Sequence, residues 1–294
     1  MTVKAHEVAI RAMKTEDLPR ILELINIEGW SYHISEIDRM LKLSPDTSIV
    51  ACKDDAILGG ITAVTIDRRC VLGHVVIDGK WRKRGIGSVL ISSMIASEEQ
   101  RGAELFDVFS VKEAIPFYKR HGFHSLETLN TYAKIISEED RDSGVEDPRI
   151  RRLTISDVQQ MSELDILVSR FRRKNLIERL MCDFPDNSFG IFDEKELRGF
   201  IQARSTDVMC DIGPWVIREP AAKDAERLLD VLLNTLPTGK KAIVGVPERN
   251  RLVKNVLEKK GFEIEFYNYR LVRSKQEIKP FATGTLAISA FELG

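Results

Sequence analysis

Ile10-Arg11 returns in this chain as Ile150-Arg151, Asp17-Leu18 as Asp157-Val158 and Leu24 as Leu164, each pair 140 residues apart. Later, Tyr118-Lys-Arg-His-Gly-Phe123 is answered by Leu257-Glu-Lys-Lys-Gly-Phe262, 139 residues on. Between the two halves lies SEEDRDSGVEDP, residues 137–148, acidic and nearly devoid of apolar side chains. Such a segment has nothing to bury and reads as a linker. One match at a fixed offset is chance; two at nearly equal offsets, either side of a linker, point to tandem copies of one fold. The 294 residues suffice for two domains of ordinary size. We place a first domain at 1–137, a linker at 138–148 and a second domain at 149–294.

Each copy opens on a short strand, then a capping group and an amphipathic helix: TEDLPRILELI in the first, SDVQQMSELDIL in the second. Thr, Ser and Asp stand there because their oxygens accept from the unpaired N–H groups of a first helical turn. In the first copy the spacing predicts a second helix over SEIDRMLKL. Three strands rich in β-branched residues follow, TSIVACKD, AILGGITAVTID and VLGHVVID. Next comes a helix over SVLISSMIASEEQRG, apolar at 89, 90, 91, 94 and 95. A strand ELFDVFSV, a short helix from about Pro116 and a final strand HSLETLNTYAKII complete the copy. Antiparallel strands first and a helical crossover afterwards give an α/β fold on a mixed sheet.

The junction between VLGHVVID and the long helix reads VVIDGKWRKRGIGSVL, with Lys80, Arg82, Lys83 and Arg84 ahead of Gly85-Ile86-Gly87. The whole chain carries 44 Lys and Arg against 45 Asp and Glu, so these cations are a local feature. That balance argues against nucleic-acid binding, which needs a basic domain or stripe. A helix N-terminus offers unpaired N–H groups and partial positive charge, and glycine lets the backbone approach a ligand closely. The guest of such a loop is a phosphate or pyrophosphate. A P-loop needs GxxxxGK[ST], which is not here. A dinucleotide fingerprint needs GxGxxG after a first strand, and Leu90 stands where its third glycine belongs.

Arg82-Lys-Arg-Gly85-Ile-Gly87 fits a third pattern in full, Arg or Gln, two residues, Gly, one residue, Gly or Ala. It resembles the acetyl-CoA loop of the GNAT superfamily of N-acetyltransferases. Tyr118, followed by Gly122-Phe123, occupies the places where that family ends its core, and Ile77 stands five residues before Arg82, where its fourth strand closes. The resemblance covers roughly residues 8–136. Gly29-Trp30, Pro116 before Phe117-Tyr118, and an ending TLAISAFELG resemble one subgroup, a GNAT domain followed by a degenerate GNAT-like domain. The resemblance thus implies tandem GNAT folds, the N-terminal one catalytic and the C-terminal one degenerate.

It also implies the chemistry: an acetyl group moved from acetyl-CoA to a primary amine, of a small molecule or a protein, by direct attack in a ternary complex. No metal is implied. Backbone N–H groups from about Arg84 through Gly85, Ile86 and Gly87 to Ser88 are expected to hold the pyrophosphate, with Arg82 and Arg84 adding fixed positive charge and Lys83 a further cofactor-binding residue. Main-chain groups of Val75, Val76 and Ile77 are expected to hold the pantetheine arm, and an opening between VVID and ELFDVFSV to admit the thioester. Tyr118 is the expected acid: a phenol of pKa about 10 stays protonated at neutral pH and can donate to a departing thiolate. Against this, an aromatic beside Phe117 and Phe123 also suits plain packing. His74 suits a general base by its pKa. Strand alternation sets it on the wrong face, however, with Gly73 and Val71 in the expected slots, so packing is the preferred reading. Trp30-Ser31-Tyr32-His33 or water are further sources of a base, and Trp30 is a candidate wall of the acceptor pocket.

The second copy departs from the pattern where it matters. GPWVIREPAAKDAERLLDVLL has no glycine between Gly213 and Gly239, its loop carries Glu219 and Asp224, and Leu257 stands where the first copy has Tyr118. We expect it to be non-catalytic. Cys52, Cys70, Cys182 and Cys210 form no CxxC, so reduced structural thiols are expected and no zinc site. No run approaches the roughly 18 apolar residues of a membrane helix, and MTVKAHEVAIRAMKTED lacks an apolar leader segment, so the expectation is a cytoplasmic protein without a membrane partner. The alternative function is a non-catalytic acyl-CoA sensor or scaffold. Acceptor identity, acyl preference and oligomeric state have no signal in the sequence.

Overall fold

The computed structural model describes residues 8–30, 32–141 and 147–293; residues 1–7, Ser31, linker residues 142–146 and Gly294 lie outside it. The chain forms two compact units. Unit 1 comprises Met1–Leu126, Tyr269–Ile278 and Phe291–Gly294; unit 2 comprises Glu127–Asn268 and Lys279–Ala290.

Unit 1 runs β1 (Ala9–Ala12), α1 (Leu18–Ile27), α2 (Ile34–Leu43), β2 (Ile49–Lys53), β3 (Ala56–Ile66), β4 (Arg69–Ile77), α3 (Ile86–Gln100), β5 (Leu105–Ser110) and α4 (Ile115–Lys119). β1 to β4 form an antiparallel meander, and β5 joins parallel to β4. Helix α3 makes that crossover, packing Leu90, Ile91, Met94 and Ile95 on one face of the sheet. Helices α1 and α2 cover the other face with Leu18, Ile21, Leu24, Ile25 and Ile37. Of the apolar positions read from the sequence for α3, 90, 91, 94 and 95 are buried and Val89 is half-buried.

Unit 2 repeats the plan with β7 (Ile150–Arg152), α5 (Val158–Ser169), α6 (Lys174–Asp183), β8 (Ser188–Asp193), β9 (Glu196–Ser205), β10 (Cys210–Ile217), α7 (Ala222–Leu233), β11 (Lys241–Pro247) and α8 (Arg251–Lys259). Two long strands remain, β6 (His124–Ile135) and β12 (Glu263–Ser274). Sequence order assigns β6 to the first copy. In the structure its residues Leu129–Ile135 pair antiparallel with β11 of unit 2. The place beside β5 in unit 1 is filled by Tyr269–Ser274 of β12. The two strands are counterparts at the same 139-residue offset, so each unit receives an equivalent ladder from the other copy. Nothing local in either strand marks the exchange.

The residues that announced the repeat tie strand to helix. Arg11 grips both carboxylate oxygens of Asp17 at 2.6 and 2.8 Å, while Asp17 accepts from the Lys14 N–H at 2.8 Å. Arg151, Asp157 and Thr154 do the same in unit 2, at 2.9, 2.7 and 2.8 Å. The Arg151 guanidinium holds the Asp157 carboxyl down to about 2, from an ordinary value of 3.8. A depressed folded-state pKa stabilises above the unfolded value and is lost as the pH falls. Because Arg151 is half exposed, we expect Asp157→Asn to cost only about 1 kcal/mol at pH 7. That difference should vanish between pH 4 and 2 in urea titrations.

Candidate functional site

The β4–β5 ladder runs from Arg69↔Leu105 to Leu72↔Val108 and stops there, although β4 continues to Ile77. Past Leu72 the two strands fork. At the same point β4 bulges: Ile61 faces Val75 but Ala63 faces Leu72, so Gly73 and His74 together oppose Thr62. Residues 70 and 72 then share the α3 face with 75 and 77, whereas Val76 packs on the α1–α2 side. A single alternation along this strand, on which the sequence argument about His74 leaned, does not hold across the bulge.

Below the fork the strands are strapped together. The buried Asp107 carboxylate of β5 accepts from Arg69 Nε of β4 at 2.5 Å and from Arg270 Nε of β12 at 2.6 Å. Burial alone pushes such a carboxyl up; here the Arg270 and Arg69 charges prevail and hold it below the usual range. Asp107 stands one ladder pair before the fork, opposite Val71.

Above the fork lies the cationic loop. Lys83 and Gly85 both take positive φ, 60° and 83°, and Gly85 is the residue from which α3 starts. Val89 is the first residue whose N–H bonds back, to Gly85 at 3.1 Å. Among the described residues, no protein acceptor takes the N–H groups of Lys83 to Ser88. Phe117 of α4 packs against this turn: a Cβ on Gly87 would stand 3.4 Å from its ring carbon Cζ. The His121 ring reaches Ser88 Oγ at 3.2 Å, a contact with no sequence signal beyond proximity to Tyr118.

The cations are less uniform than the sequence suggested. Arg82 donates from Nε to the Ile77 carbonyl at 3.0 Å and pairs with Glu28 at the end of α1. Arg84 lies 4.9 Å over the Trp81 ring. A cavity of about 270 Å3 opens between α1 and this loop, lined among others by Arg20, Glu28, Asp78, Lys80 and Arg82. Among the described residues Arg82 is thus matched by a carboxylate, and Lys83 and Arg84 are not.

Tyr118 is buried in the α3-side cluster with Leu90, Phe106 and Val108, its ring 5.3 Å from Phe117 and 5.8 Å from Phe123. Burial pushes its phenol well above the ordinary value. No hydrogen bond to its hydroxyl occurs among the described residues.

A second group forms on the α1–α2 side. The buried His74 ring meets Thr62 Oγ1 through Nδ1 at 2.8 Å, and Thr62 Oγ1 also accepts from the His74 N–H at 2.8 Å. Tyr32 sets its ring edge-on, 4.1 Å away, and the half-exposed Trp30 lies at 6.0 Å. His33 caps α2, accepting from Ser35 N–H at 3.3 Å while its own N–H donates to Glu36 at 2.8 Å. Glu292, from the far end of the sequence, accepts from the Tyr32 hydroxyl at 3.0 Å. Sequence reasoning passed over it, because no spacing signal links residue 292 to residue 32.

Unit 2 has the same fork and has filled it. The β10–β11 ladder ends at Asp211↔Ile243, and a bulge follows at Gly213-Pro214, the counterpart of Gly73-His74. Into the gap runs β13 (Thr285–Ala287), pairing Ala287 with Trp215 of β10. The next N–H, of Ile288, donates to Gly245 of β11 at 3.0 Å. A Cβ on Gly213 would lie 1.8 Å from the Ile288 carbonyl oxygen. Glu219 and Asp224 pair with Arg198 and Arg149, and Leu257 is core.

Among the described residues no helix is long and apolar enough to cross a membrane, and no group of three His, Cys, Asp or Glu side chains is placed to hold a metal.

Models of the acetyltransferase (GNAT) domain match the chain twice, over residues 44–125 and over residues 161–282. No curated protein matches it. Among solved structures, it is similar to an acetyltransferase candidate of Pyrococcus horikoshii at TM-score 0.79 and 16% identity, over 98% of this chain and 96% of that one. A GCN5-related N-acetyltransferase of Sphaerobacter thermophilus superposes at 0.70 and 14% identity, over 96% and 100%. A tandem GNAT protein from the clavulanic acid biosynthesis pathway does so at 0.67 and 13%, over 93% and 100%. At these identities the likeness is one of fold.

Proposed function

The chain belongs to the acetyltransferase (GNAT) superfamily with two tandem GNAT folds, and we propose that unit 1 moves an acetyl group from acetyl-CoA to a primary amine by direct attack in a ternary complex. The observation that carries this reading is the forked end of β4 and β5 beside a helix start with unused N–H groups. The N–H groups from Lys83 to Ser88 suit a pyrophosphate, and Lys83 and Arg84 add charge at its rim. The main chain of Val75 to Ile77 lies past the end of the β5 ladder and suits the amides of a pantetheine arm, apart from the Ile77 carbonyl, which accepts from Arg82. When bound, acetyl-CoA supplies an acetyl group activated as a thioester.

Tyr118 is the acid in this reading. Burial pushes its phenol up and keeps it protonated at neutral pH, so it can donate a hydrogen bond to the departing sulfur, although it is a weaker acid than the thiol, whose pKa is near 8.5. Unit 2 is non-catalytic in this reading, because β13 occupies the gap a pantetheine would need and acidic side chains stand at the helix start.

The test is thiol release from acetyl-CoA across a panel of primary amines. Tyr118→Phe should lower kcat roughly 100-fold, with the dissociation constant for CoA unchanged. Tight CoA binding without release on any amine overturns the reading in favour of a non-catalytic acyl-CoA sensor.

A further inference from the structure

Just past α4 stands His121, half-buried, its ring Nε2 3.2 Å from Ser88 Oγ. Ser88 is the third residue of α3, and helical side chains lean toward the N-terminus of their helix. Its hydroxyl is therefore directed toward the turn whose N–H groups, among the described residues, have no protein acceptor. Phe117 backs the histidine, ring to ring at 5.1 Å, and the same Phe117 ring closes on Gly87. The second copy shows the same position in another setting. Lys260, 139 residues after His121, reaches α7, where Asp230 at 2.5 Å and Glu226 at 3.5 Å hold its charge permanently. In unit 1 the corresponding side chain meets a hydroxyl at a helix start, and its charge is one that comes and goes with pH.

We propose that His121 is a positioning residue of the CoA site, which turns the Ser88 hydroxyl toward the pyrophosphate and takes up a proton as CoA binds. The proposal rests on the CoA-binding part of the reading above. Neutral imidazole has one donor and one acceptor nitrogen, so Nε2 is able to accept from the Ser88 hydroxyl. In the imidazolium both ring nitrogens donate. Nε2 then donates to Ser88 Oγ, and the hydroxyl proton is left to point at a phosphate oxygen. The added proton comes from the buffer, and no covalent bond of the ligand changes. In the free protein burial, helped by the Arg120 charge, holds the His121 ring below its ordinary pKa. Arg120 is the charged group that bears on this ring, its guanidinium carbon 5.9 Å from the Phe117 ring centroid. A bound pyrophosphate, negatively charged, acts in the opposite direction and raises it. Between the free and the bound value a proton is taken up on binding, so affinity rises as the pH falls through that window.

The test is calorimetry with dephospho-CoA over roughly pH 5.5 to 7.5. Its pyrophosphate does not titrate there, whereas the 3′-phosphate of CoA is a monoester with a pKa near 6. The wild type should bind roughly fivefold tighter at the acid end, with a heat that varies with the buffer as proton uptake requires. His121→Gln keeps a donor for Ser88 and cannot be protonated. Its affinity should stay within about threefold of wild type at the upper pH and be flat below it. At the acid end Ser88→Ala should weaken binding roughly tenfold and His121→Leu roughly fivefold. Adding His121→Leu to Ser88→Ala should cost less than about twofold more, because the histidine acts through the hydroxyl. The proposal is overturned by a wild type without pH response, by His121→Gln that keeps the response, by Ser88→Ala that binds as the wild type does, or by additive losses in the double variant. A response seen with CoA but not with dephospho-CoA belongs to the 3′-phosphate and overturns it too. A wild type that binds neither ligand overturns the acetyl-transfer reading itself, and this proposal with it.

Discussion

Replacing Gly85 and Gly87 together by valine should remove CoA binding from the whole chain, weakening it roughly 1,000-fold, or about 4 kcal/mol. Two physical effects act. A side chain at Gly85 sits at φ 83°, where valine is strained by about 1–2 kcal/mol, so the helix start rotates away. A side chain at Gly87 projects toward Phe117, 3.4 Å from the first added carbon, and covers the N–H groups of the turn. Gly87→Ala, which adds only that first carbon, should keep the melting temperature near wild type while still weakening CoA severalfold. Calorimetric stoichiometry checks the prediction. One CoA per chain left in the double variant would make unit 2 a working site and overturn the idea that β13 has filled it.

The second large effect concerns Asp107. Asp107→Ala leaves Arg69 and Arg270 facing each other in the core without their shared carboxylate, at an expected loss of about 3–5 kcal/mol. Replacing all three groups by apolar residues of similar volume should be close to neutral, because the ions then no longer have to be desolvated. Urea unfolding of both variants decides whether the strap stabilises by charge or merely by filling space. A single variant as stable as wild type would show that water reaches the cluster.

Much of unit 1 was legible before any coordinates. The apolar residues at 90, 91, 94 and 95 of α3 are buried as read, and the glycines at 85 and 87 stand where a left-handed cap and a close helix contact require them. These signals are local: a few neighbouring residues set backbone angle and face. What sequence could not give depended on partners far along the chain. Arg82 looked like an anion ligand, and only the fold brings Glu28 to it. The face of His74 followed from alternation until a bulge opposite Thr62 broke it. β6 and β12 carry equivalent patterns, so nothing in either said which unit it would complete. TLAISAFELG was noticed for its resemblance, but Thr285–Ala287 as a filler strand and Glu292 beside Tyr32 are long-range facts.

The borrowed strand also sets an order of events in time. A ribosome delivers the first 126 residues of unit 1 long before Tyr269–Ser274 emerge to cover β5. Throughout that interval β5 has an open edge and Asp107 lacks Arg270. Exposed edges of this kind recruit other chains. Early termination anywhere before residue 274 therefore yields a nascent product that needs a chaperone, and the first half released alone is a poor choice for expression. Unit 1 gains its last ladder only after residue 274 has been made.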